Sequence, residues 1–337
     1  MNKYTTQAID LGSGNVKVTT TSFDKGIIQC KSFPAIAVEY DKNNLLTNNG
    51  SQNNLIITDN GKQYLVGQDI HLHEGKHETR ILSSNYIDSP EYRILSKAAL
   101  FEIDKSNIDL LTVGLPVNNY TKTNDKKLRD LLIGTHQLPG NKICKVCNLQ
   151  VLPQPVGALF HYAFTHTNIT ELNKQTNLLI DVGFYTLDWA IARGIEPISK
   201  RCGSYMGGGI GAILNGVAQR LKSHDNVEYT NISRLENDIQ SGFISLYGNK
   251  ILADEYLDYA MRFIKPAFTA LTNELQESAD IDNIILVGGP APLYKKYIQN
   301  LFPRHKIITM PDSHLSNVRG FQIAGEIFLK HSIGDVA

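Results

Sequence analysis

Apolar and β-branched residues form short runs along the chain, and their order predicts its secondary structure. The run 7–11 is mostly apolar and contains an aspartate, a turn with two glycines follows, and a β-branched run continues to about residue 21. This order predicts a strand, a tight turn and a second strand. The order of apolar run, Asp-x-Gly, turn and extended strand recurs over 177–190, about half of the chain later. The repeat therefore predicts two homologous halves, each presenting one turn.

Other patterns predict helices and further strands. Ser89, Pro90 and Glu91 form a typical helix start, because serine caps free N–H groups and proline suits the first helical turn. Helices are predicted over 90–102, 124–136, 155–164, 204–222, 254–278 (with a kink at Pro266) and 317–328. Strands are predicted over 63–67, 109–115, 142–152 and 283–287, with two or three more between residues 15 and 40. Together these are the elements of an α/β protein.

Length and composition limit the class of protein. With 337 residues the chain can bury a large core and is expected to form about two domains. A formal net charge of zero lacks the basic character of a protein that binds nucleic acid directly. The sequence has neither a signal-peptide pattern nor an apolar run of about 20 residues. We therefore expect no direct contact with nucleic acid or a membrane, and a cytoplasmic location.

Cysteine and histidine spacings indicate metal sites only weakly. Cys144 and Cys147 have a metal-like or redox-like spacing, but in a strand their side chains would point to opposite faces. The sequence has no second pair to complete a four-cysteine zinc site, so a structural role is favoured. His73 and His77 would share one face of a helix, yet a solvated polar segment is the favoured interpretation. The asparagine-rich segment 41–63 predicts hairpin turns in a small exposed insertion.

The first glycine turn carries residue types that suit a phosphate. Gly12 and Gly14 let the backbone approach a ligand closely, and successive N–H groups in such a turn form an anion-binding concavity. Lys17 adds a mobile positive charge, and Asp10 could hold a metal ion directly or through its water shell. Together they suit a nucleoside phosphate with Mg²⁺, although a plain hairpin turn would need the same glycines. The recurrence at Asp181 favours two turns that clamp a phosphate chain between them.

Three further segments bear on this interpretation. Gln154 lies at a predicted strand-to-helix corner, where a glutamine could position water for attack on a terminal phosphate or serve only as a structural corner. The glycines 207–209 at a helix start favour either an anion or a close helix–strand contact. The buried strand 283–287 runs into Gly288 and Gly289, and open α/β sheets bind ligands at such strand ends. Backbone in this last turn could pack flat against a base.

Five segments in this order resemble the actin, DnaK-type chaperone and sugar-kinase superfamily. Its first phosphate loop, first connecting segment, second phosphate loop, adenosine motif and second connecting segment are similar to residues 10–17, 154–158, 181–188, 287–291 and 317–325. Within that superfamily, nearly the whole chain resembles the ParM/StbA actin-like proteins of plasmid segregation. Leu115-Pro116-Val117 and the ending Val318-Arg319-Gly320 fit that branch. The residues of the first connecting segment and of the second phosphate loop also resemble those of the plasmid-borne PRTRC system D proteins.

The resemblance implies a role for each candidate residue. Asp10 and Asp181 would hold Mg²⁺ largely through water, and Asp181 would also orient the attacking water that Gln154 positions. ParM-type relatives often have glutamate in place of this glutamine. Ribose contacts would come from the segment 234–238. The phosphates would lie against Gly12, Ser13, Gly14, Asn15, Lys17, Gly183, Tyr185 and Thr186, and the nucleoside against Gly207, Gly208, Gly288, Gly289 and Pro290.

The resemblance also implies the architecture and the activity. The fold would be actin-like (ribonuclease H-like and duplicated), with two domains that each contain a mixed five-stranded sheet flanked by helices. ATP or ADP with Mg²⁺ would lie in the cleft between them. Domain I would span 1–153, with a small subdomain near 33–90 and the C-terminal helix 317–331 packing back; domain II would span 154–316, with a small subdomain near 205–255. The chain would be an ATPase that forms head-to-tail filaments and moves or positions plasmid DNA through a separate DNA-binding adapter.

One departure and several alternatives accompany this prediction. The second phosphate loop usually has small residues after its first glycine, whereas Phe184 and Tyr185 are bulky and would either narrow the γ-phosphate pocket or face the core. A sugar or small-metabolite kinase needs a base and a sugar pocket, for which we find no motif. A chaperone needs a substrate domain, for which 337 residues leave little room. A Rossmann dehydrogenase needs a glycine turn that leads into a helix, whereas the turn at residues 12–14 leads into a predicted strand. A non-polymerising ATPase and a preference for GTP both stay open.

Overall fold

The computed structural model describes residues 4–23, 26–41, 53–72, 80, 85–167, 169–275 and 278–334. His73 and His77 lie outside these residues, as do residues 42–52 of the asparagine-rich segment 41–63. The prediction of a histidine face therefore falls on residues that the structure does not describe, and so does about half of the predicted insertion.

Short strands and helices alternate along the described chain. The strands are β1 (Thr6–Leu11), β2 (Asn15–Thr19), β3 (Cys30–Pro34), β4 (Val38–Glu39), β5 (Asn54–Asp59), β6 (Lys62–Gly67), β7 (Asn107–Ile108), β8 (Leu110–Leu115), β9 (Gly134–Leu138), β10 (Lys142–Val146), β11 (Leu149–Pro153), β12 (Thr176–Val182), β13 (Thr186–Arg193), β14 (Glu196–Pro197), β15 (Gly203–Met206), β16 (Phe243–Leu246), β17 (Asn249–Leu252), β18 (Asn283–Val287) and β19 (Ile307–Thr309). The helices are α1 (Pro90–Ile103), α2 (Lys122–Leu132), α3 (Gln154–Thr165), α4 (Ile169–Leu172), α5 (Ile210–Asp225), α6 (Ile232–Gln240), α7 (Asp254–Ala260), α8 (Lys265–Leu275), α9 (Ala291–Leu301) and α10 (Ser316–Gly334).

The first half of the chain forms a mixed five-stranded sheet in the order β11-β8-β1-β2-β3. β1 pairs antiparallel with β2 and parallel with β8, and β11 is parallel to β8. β1 and β8 are buried along their whole length, which fits their central positions. Two smaller sheets, β4-β6-β5 and β7-β10-β9, complete this half. The prediction of strand, turn and strand for the opening run is confirmed.

The second half repeats this arrangement. β12 pairs antiparallel with β13 and parallel with β18, and β19 is parallel to β18. The prediction of two homologous halves is thus confirmed by topology. The predicted count of five strands is one too low for the second sheet, which has six. The reason is that two short strands, β14 and β15, pair with different parts of β13.

Two predicted boundaries in the first half differ from the structure. The helix predicted over 124–136 ends at Leu132, because Ile133 is extended and Gly134 has a φ of 132° where the chain enters β9. The strand predicted over 142–152 is two strands. β10 belongs to a small sheet and β11 to the main one, and the backbone N–H of Cys147 between them donates to Ile108.

Two predicted helices in the second half also differ. The helix expected over 204–222 is a strand followed by α5, because Gly207 turns the chain with a φ of 80° between them. The helix expected over 254–278 is divided into α7 and α8 by the short 3₁₀ turn Met261–Phe263. Pro266 lacks an N–H and its ring clashes with the carbonyl four residues earlier, so an uninterrupted α-helix is disfavoured there.

The halves have separate hydrophobic cores, and two helices connect them. One core contains residues of β1, β2, β8 and α1, and the other contains residues of β12, β13, β18, α5 and α8. α3 packs beneath the second sheet through Ala158 and Leu159, whereas α10 packs on the first sheet through Val318 and Phe321. The two helices cross each other between the sheets. The exact boundaries predicted for the domains stay a prediction.

Two further observations bear on the sequence expectations. Cys144 is buried in β10, whereas Cys147 lies beyond the end of that strand, and all four cysteines are free. Among the described helices, none combines the length and the apolar character that crossing a membrane requires.

Candidate functional site

The two glycine turns line one cleft, of about 1300 Å³ counted to its open mouth. Of the residues predicted from the sequence, those that line it are Asp10, Gly12, Ser13, Gly14, Asn15, Lys17, Gln154, Asp181, Gly183, Tyr185, Thr186, Gly288, Gly289 and Pro290. Gly207 and Gly208 lie outside this lining. The structure thus brings most of the predicted residues together, although their roles remain predictions.

The carboxylate of Asp10 lies at the centre of the first wall. Asp10 is the cross-strand neighbour of Lys17 in the β1–β2 hairpin, and the Lys17 Nζ donates to Asp10 Oδ2 at 2.9 Å. Gln154 Nε2 donates to the other oxygen, Oδ1, also at 2.9 Å. Burial lowers the pKa of Lys17, but the charge of Asp10 and, more weakly, that of Asp181 outweigh this effect and raise it overall. Lys17 is therefore a firmly charged group on the cleft wall.

The carboxylate of Asp181 occupies the matching place on the second wall. Asn317 Nδ2 donates to Asp181 Oδ2 at 2.7 Å, and both side chains are buried. Burial raises the pKa of Asp181 to about 7, with further increases from the charges of Asp188 and Asp10, against the lowering effect of the Asn317 hydrogen bond. Asp181 is therefore poised to change its charge near neutral pH.

Asp188 is the cross-strand neighbour of Asp181 and connects the two halves. Its Oδ1 accepts a hydrogen bond from the backbone N–H of Val117 at 3.1 Å. Asn118 Nδ2 donates to the carbonyl of Ser204 at 3.0 Å beside it. Burial raises the pKa of Asp188, while hydrogen bonds from Thr186, Ser204 and Val117 lower it. Sequence reasoning gave Asp188 no role, because its partner lies in the other half.

Phe184 brings the two turns into direct contact. A Cβ on Gly14 would lie 2.6 Å from the Phe184 Cβ, so only glycine fits at that position. The Arg80 guanidinium lies 4.1 Å from the centre of the Phe184 ring, and Arg80 Nη1 forms an ion pair of 3.0 Å with Glu236 Oε2. Phe184 both lines the cleft and packs against the second core. The sequence left open whether Phe184 faces the phosphate pocket or the core, and in the structure it contacts both the cleft and the core.

The turn after β18 also depends on glycine. Gly288 has a φ of 96°, and a Cβ there would overlap the carbonyl oxygen of Val182 and lie 2.9 Å from Asp181 Oδ1. Ser313 Oγ donates to the Gly288 carbonyl at 2.8 Å and holds the turn. Because no side chain intervenes, Gly289 presents bare backbone to the cleft. This surface can accommodate a flat ring.

The glycines before α5 are explained by packing. A Cβ on Gly208 would lie 2.8 Å from the Ala267 Cβ and 2.9 Å from the Leu187 Cβ, and Tyr294 Oη donates to the Gly208 carbonyl at 3.1 Å. Gly207 provides the positive φ of the turn. Of the two interpretations left open for these glycines, close contact between helix and strand accounts for their geometry.

Only one of two further cleft residues, Asn317 and Glu236, was assigned a role from the sequence. Asn317 was placed in a connecting segment but given no role. The spacing Asn-x-x-Gly at 317–320 repeats Gln-x-x-Gly at 154–157, and that repeat is the signal that could have identified it. Within the segment 234–238, Glu236 lines the cleft, whereas Asp238 Oδ2 accepts the backbone N–H of Ser245.

The donor set fits a magnesium nucleotide better than an isolated metal. In the part of the chain that the structure describes, no group of three or more His, Cys, Asp or Glu side chains could hold a metal ion. Mg²⁺ is usually held by one or two carboxylates together with substrate phosphates and water. Asp10 and Asp181 supply two buried carboxylates, and Lys17 and the glycine turns supply the positive charge and the N–H groups that phosphates need. The buried Oδ1 of Asn317 has no hydrogen-bond partner among the described residues, so the site can also accept a hydrogen bond from a bound group.

Comparison with known proteins agrees with this geometry. Residues 8–157 match the family described as the N-terminal domain of actin-like proteins, and residues 179–300 match the C-terminal domain described as the archaeal actin homologue, MreB-like. A search of curated proteins found no match.

Solved structures of similar shape cover almost the entire chain. The archaeal actin homologue Ta0583 superimposes with a TM-score of 0.78 at 17% identity, over 96% of this chain and 99% of that one. Ta0583 was also solved in complex with ADP, and that structure has a TM-score of 0.75 at 16% identity, with the same coverage. The subunit of a 15-stranded ParM filament from Clostridium botulinum has a TM-score of 0.75 at 21% identity, over 97% of this chain and 100% of that one.

These findings identify the class of protein. The duplicated sheets, the cleft between them and the two family matches define an actin-like fold in a two-domain arrangement. The chain is an actin-like protein whose structural neighbours include ParM-type proteins.

Proposed function

We propose that the protein binds ATP with Mg²⁺ in the cleft and hydrolyses it to ADP and phosphate. The observation that carries this proposal is the pair of buried carboxylates, Asp10 and Asp181, on the two glycine hairpins. Each is held by a carboxamide, Gln154 or Asn317, at the start of a connecting helix. A site assembled from both halves can bind a phosphate chain between them. The ADP complex of Ta0583 supports nucleotide binding in such a fold.

Each polar group has a defined task in this proposal. Bound Mg²⁺ would neutralise charge on the phosphate oxygens, with Asp10 and Asp181 holding it largely through water. Lys17 binds a phosphate oxygen, and the backbone N–H groups of the glycine turns donate to others. Gln154 Nε2 is committed to Asp10, so Oε1 is the atom that accepts a hydrogen bond from the attacking water. Asp181 orients that water from the second wall.

The nucleoside lies against the second half in this proposal. Gly288, Gly289 and Pro290 offer bare backbone and a flat ring surface to the base. Glu236, which lines the cleft, is the ribose candidate from the segment 234–238. A base pocket built largely from backbone accepts ATP or GTP, so the two nucleotides are tested in parallel.

We further propose that nucleotide binding switches assembly into head-to-tail filaments in the cytoplasm. Support comes from the relatives whose structures are filaments, the ParM of Clostridium botulinum and Alp12. Heterologous contacts of this type extend without closing. Positioning of plasmid DNA through a DNA-binding adapter is the cargo role we propose by analogy with the ParM type.

One experiment tests both parts of the proposal. Purified protein is mixed with Mg²⁺ and ATP or GTP while light scattering and phosphate release are recorded together. We expect scattering to rise with nucleotide and phosphate release to follow. Lack of Mg-nucleotide binding would contradict the proposed site. Hydrolysis without a rise in scattering would favour a non-polymerising ATPase, and phosphate transfer to an added small metabolite would favour a kinase.

A substitution separates catalysis from binding. Asp181→Ala should lower phosphate release by about 100-fold, because a group that orients the attacking water in the transition state is lost. Nucleotide affinity should change far less. Asp130→Ala, an exposed aspartate on α2, is the matched control and should behave like the original chain. Unchanged turnover of Asp181→Ala would refute the role of Asp181.

A further inference from the structure

Asn317 occupies the same place in the second connecting helix that Gln154 occupies in the first. Gln154 lies one helical turn before Gly157, and Asn317 lies one turn before Gly320. Each side chain donates its amide to the aspartate of one hairpin, at 2.9 Å for Gln154 to Asp10 and 2.7 Å for Asn317 to Asp181. The two carboxamides are therefore counterparts in the duplicated fold.

The hydrogen bond to Asp181 fixes the orientation of the Asn317 amide. The Nδ2 donates to Asp181 Oδ2, so the Oδ1 of the same amide faces elsewhere. The Asn317 side chain is nine-tenths buried, and its Oδ1 has no hydrogen-bond partner among the described residues. A buried acceptor without a partner is unfavourable, and native proteins rarely leave one unexplained. The residue lines the cleft, so a bound ligand can supply the missing donor.

The chemistry of the ligand narrows the choice of donor. Phosphate oxygens of a nucleotide carry no hydrogen to donate at neutral pH, whereas waters bound to Mg²⁺ are donors, and Mg²⁺ usually keeps several of them. Asn317 lies in direct contact with Asp181, one of the two carboxylates proposed to hold Mg²⁺. A water bound to Mg²⁺ would supply the hydrogen-bond donor that the Oδ1 of Asn317 lacks.

We propose that Asn317 is a positioning residue for Mg²⁺, and this inference rests on the proposed nucleotide site. Its Nδ2 fixes the Asp181 carboxylate, and its Oδ1 accepts a hydrogen bond from a water of the metal. Outer partners of this kind set the orientation of metal ligands and typically contribute 10-fold to 100-fold to metal affinity. Asn317 therefore contributes to nucleotide affinity only when Mg²⁺ is present.

Fluorescence titration with N-methylanthraniloyl-ADP, in Mg²⁺ and separately in EDTA, tests the proposal by binding alone. Asn317→Ala should weaken affinity by about tenfold in Mg²⁺ and leave the affinity in EDTA nearly unchanged. Asn118→Ala is the matched control, since Asn118 also lines the cleft but donates to the Ser204 carbonyl. It should show no change that depends on Mg²⁺. If Asn317→Ala does not fold, Asn317→Ser replaces it in this test. Its hydroxyl is too short to take over the contacts of the amide, so the same loss of affinity in Mg²⁺ alone is expected.

The outcomes separate this inference from the proposed function. An equal loss of affinity in Mg²⁺ and in EDTA would assign Asn317 to the nucleotide or to the fold and overturn the inference. Unchanged affinity in both conditions would overturn it as well. If the original chain binds the probe no better in Mg²⁺ than in EDTA, the proposed magnesium site itself fails, and the inference fails with it.

Discussion

Gly157 and Gly320 meet backbone to backbone where α3 crosses α10. A Cβ added to Gly320 would overlap the carbonyl oxygen of Gly157, and one added to Gly157 would overlap the Phe321 ring and lie 2.7 Å from the carbonyl oxygen of Asn317. Only glycine at these two positions lets the two helices approach so closely. One turn before these glycines, Gln154 and Asn317 reach the two hairpin aspartates. The crossing therefore sets the position of both carboxamides at once.

Gly320→Ala should destabilise the protein and disturb the cleft together. Alanine favours a helix by about 1 kcal/mol over glycine. Overpacking against a fixed carbonyl oxygen costs on the order of 3 kcal/mol, so the net effect should be a loss of stability. Urea unfolding measures the first effect, and nucleotide affinity, which should fall as the carboxamides shift, measures the second.

Gly289→Ala is the control for stability in that comparison. The nearest atom to a Cβ at Gly289 is the His314 Cβ at 3.8 Å, which is ordinary contact. Its free energy of unfolding should stay within about 0.5 kcal/mol of the original chain, as for substitutions that disturb no special feature. A Gly320→Ala variant as stable as the control would show that the helices can separate at no cost.

The contact between Gly14 and Phe184 predicts a coupling between the two glycine turns. Gly14→Ala should weaken nucleotide affinity about tenfold, about 1.4 kcal/mol, because the new Cβ forces the turns apart. In a Phe184→Gly background the obstructing Cβ is absent, so the same substitution should have little effect. Titration of all four proteins with labelled ADP completes the double-mutant cycle. Additive losses would contradict the contact.

The parts of this site that a local pattern encodes could be predicted from the sequence. The apolar run, aspartate and glycine turn occur within about a dozen residues, and their recurrence marked both hairpins. Asp10 and Asp181 could therefore be paired by the repeat alone. Gln154 could be placed because a strand, a proline and a helix start adjoin it. The turn at Gly288 was visible for the same reason.

The remaining parts depend on contacts between distant segments. Asn317 donates to a residue 136 positions away, so no local pattern reports the pair. The sequence left two interpretations open for Gly208, because a glycine run before a helix has the same composition whether it faces an anion or packs against Ala267. The helix predicted over 124–136 failed at Gly134, where a turn into β9 overrides helical periodicity.

The raised pKa of Asp181 predicts a pH-dependent stability in the nucleotide-free chain. Its pKa is about 7 in the folded chain against 3.8 for the ordinary carboxyl, so the folded state binds this proton more tightly. The stabilisation is complete below about pH 4 and is lost as pH rises through about 7. Relative to Asp181→Asn, the free energy of unfolding of the original chain should fall by up to about 1.4 kcal/mol per pH unit in this window.

Urea unfolding in EDTA at several values between about pH 5 and pH 8 checks this slope. Asp188 also has a raised pKa, but it is present in both proteins, so its contribution largely cancels in the comparison. Parallel dependences of the two proteins on pH would show that Asp181 is already ionised in the folded chain. The wild-type protein should then lack the excess loss of stability towards neutral pH.

Gln154→Ala should separate water positioning from nucleotide binding. The amide Nε2 donates to Asp10 at 2.9 Å, so the proposed role assigns Oε1 to the attacking water. Its removal should lower phosphate release by about 100-fold while affinity for ADP changes little, because a water-orienting contact acts mainly in the transition state. Gln150→Ala is the matched control. This glutamine lies on β11, the strand before Gln154, and its Oε1 accepts a hydrogen bond from Thr112 instead. Equal turnover in the two variants would remove Gln154 from catalysis and leave Asp181 as the residue that orients the water.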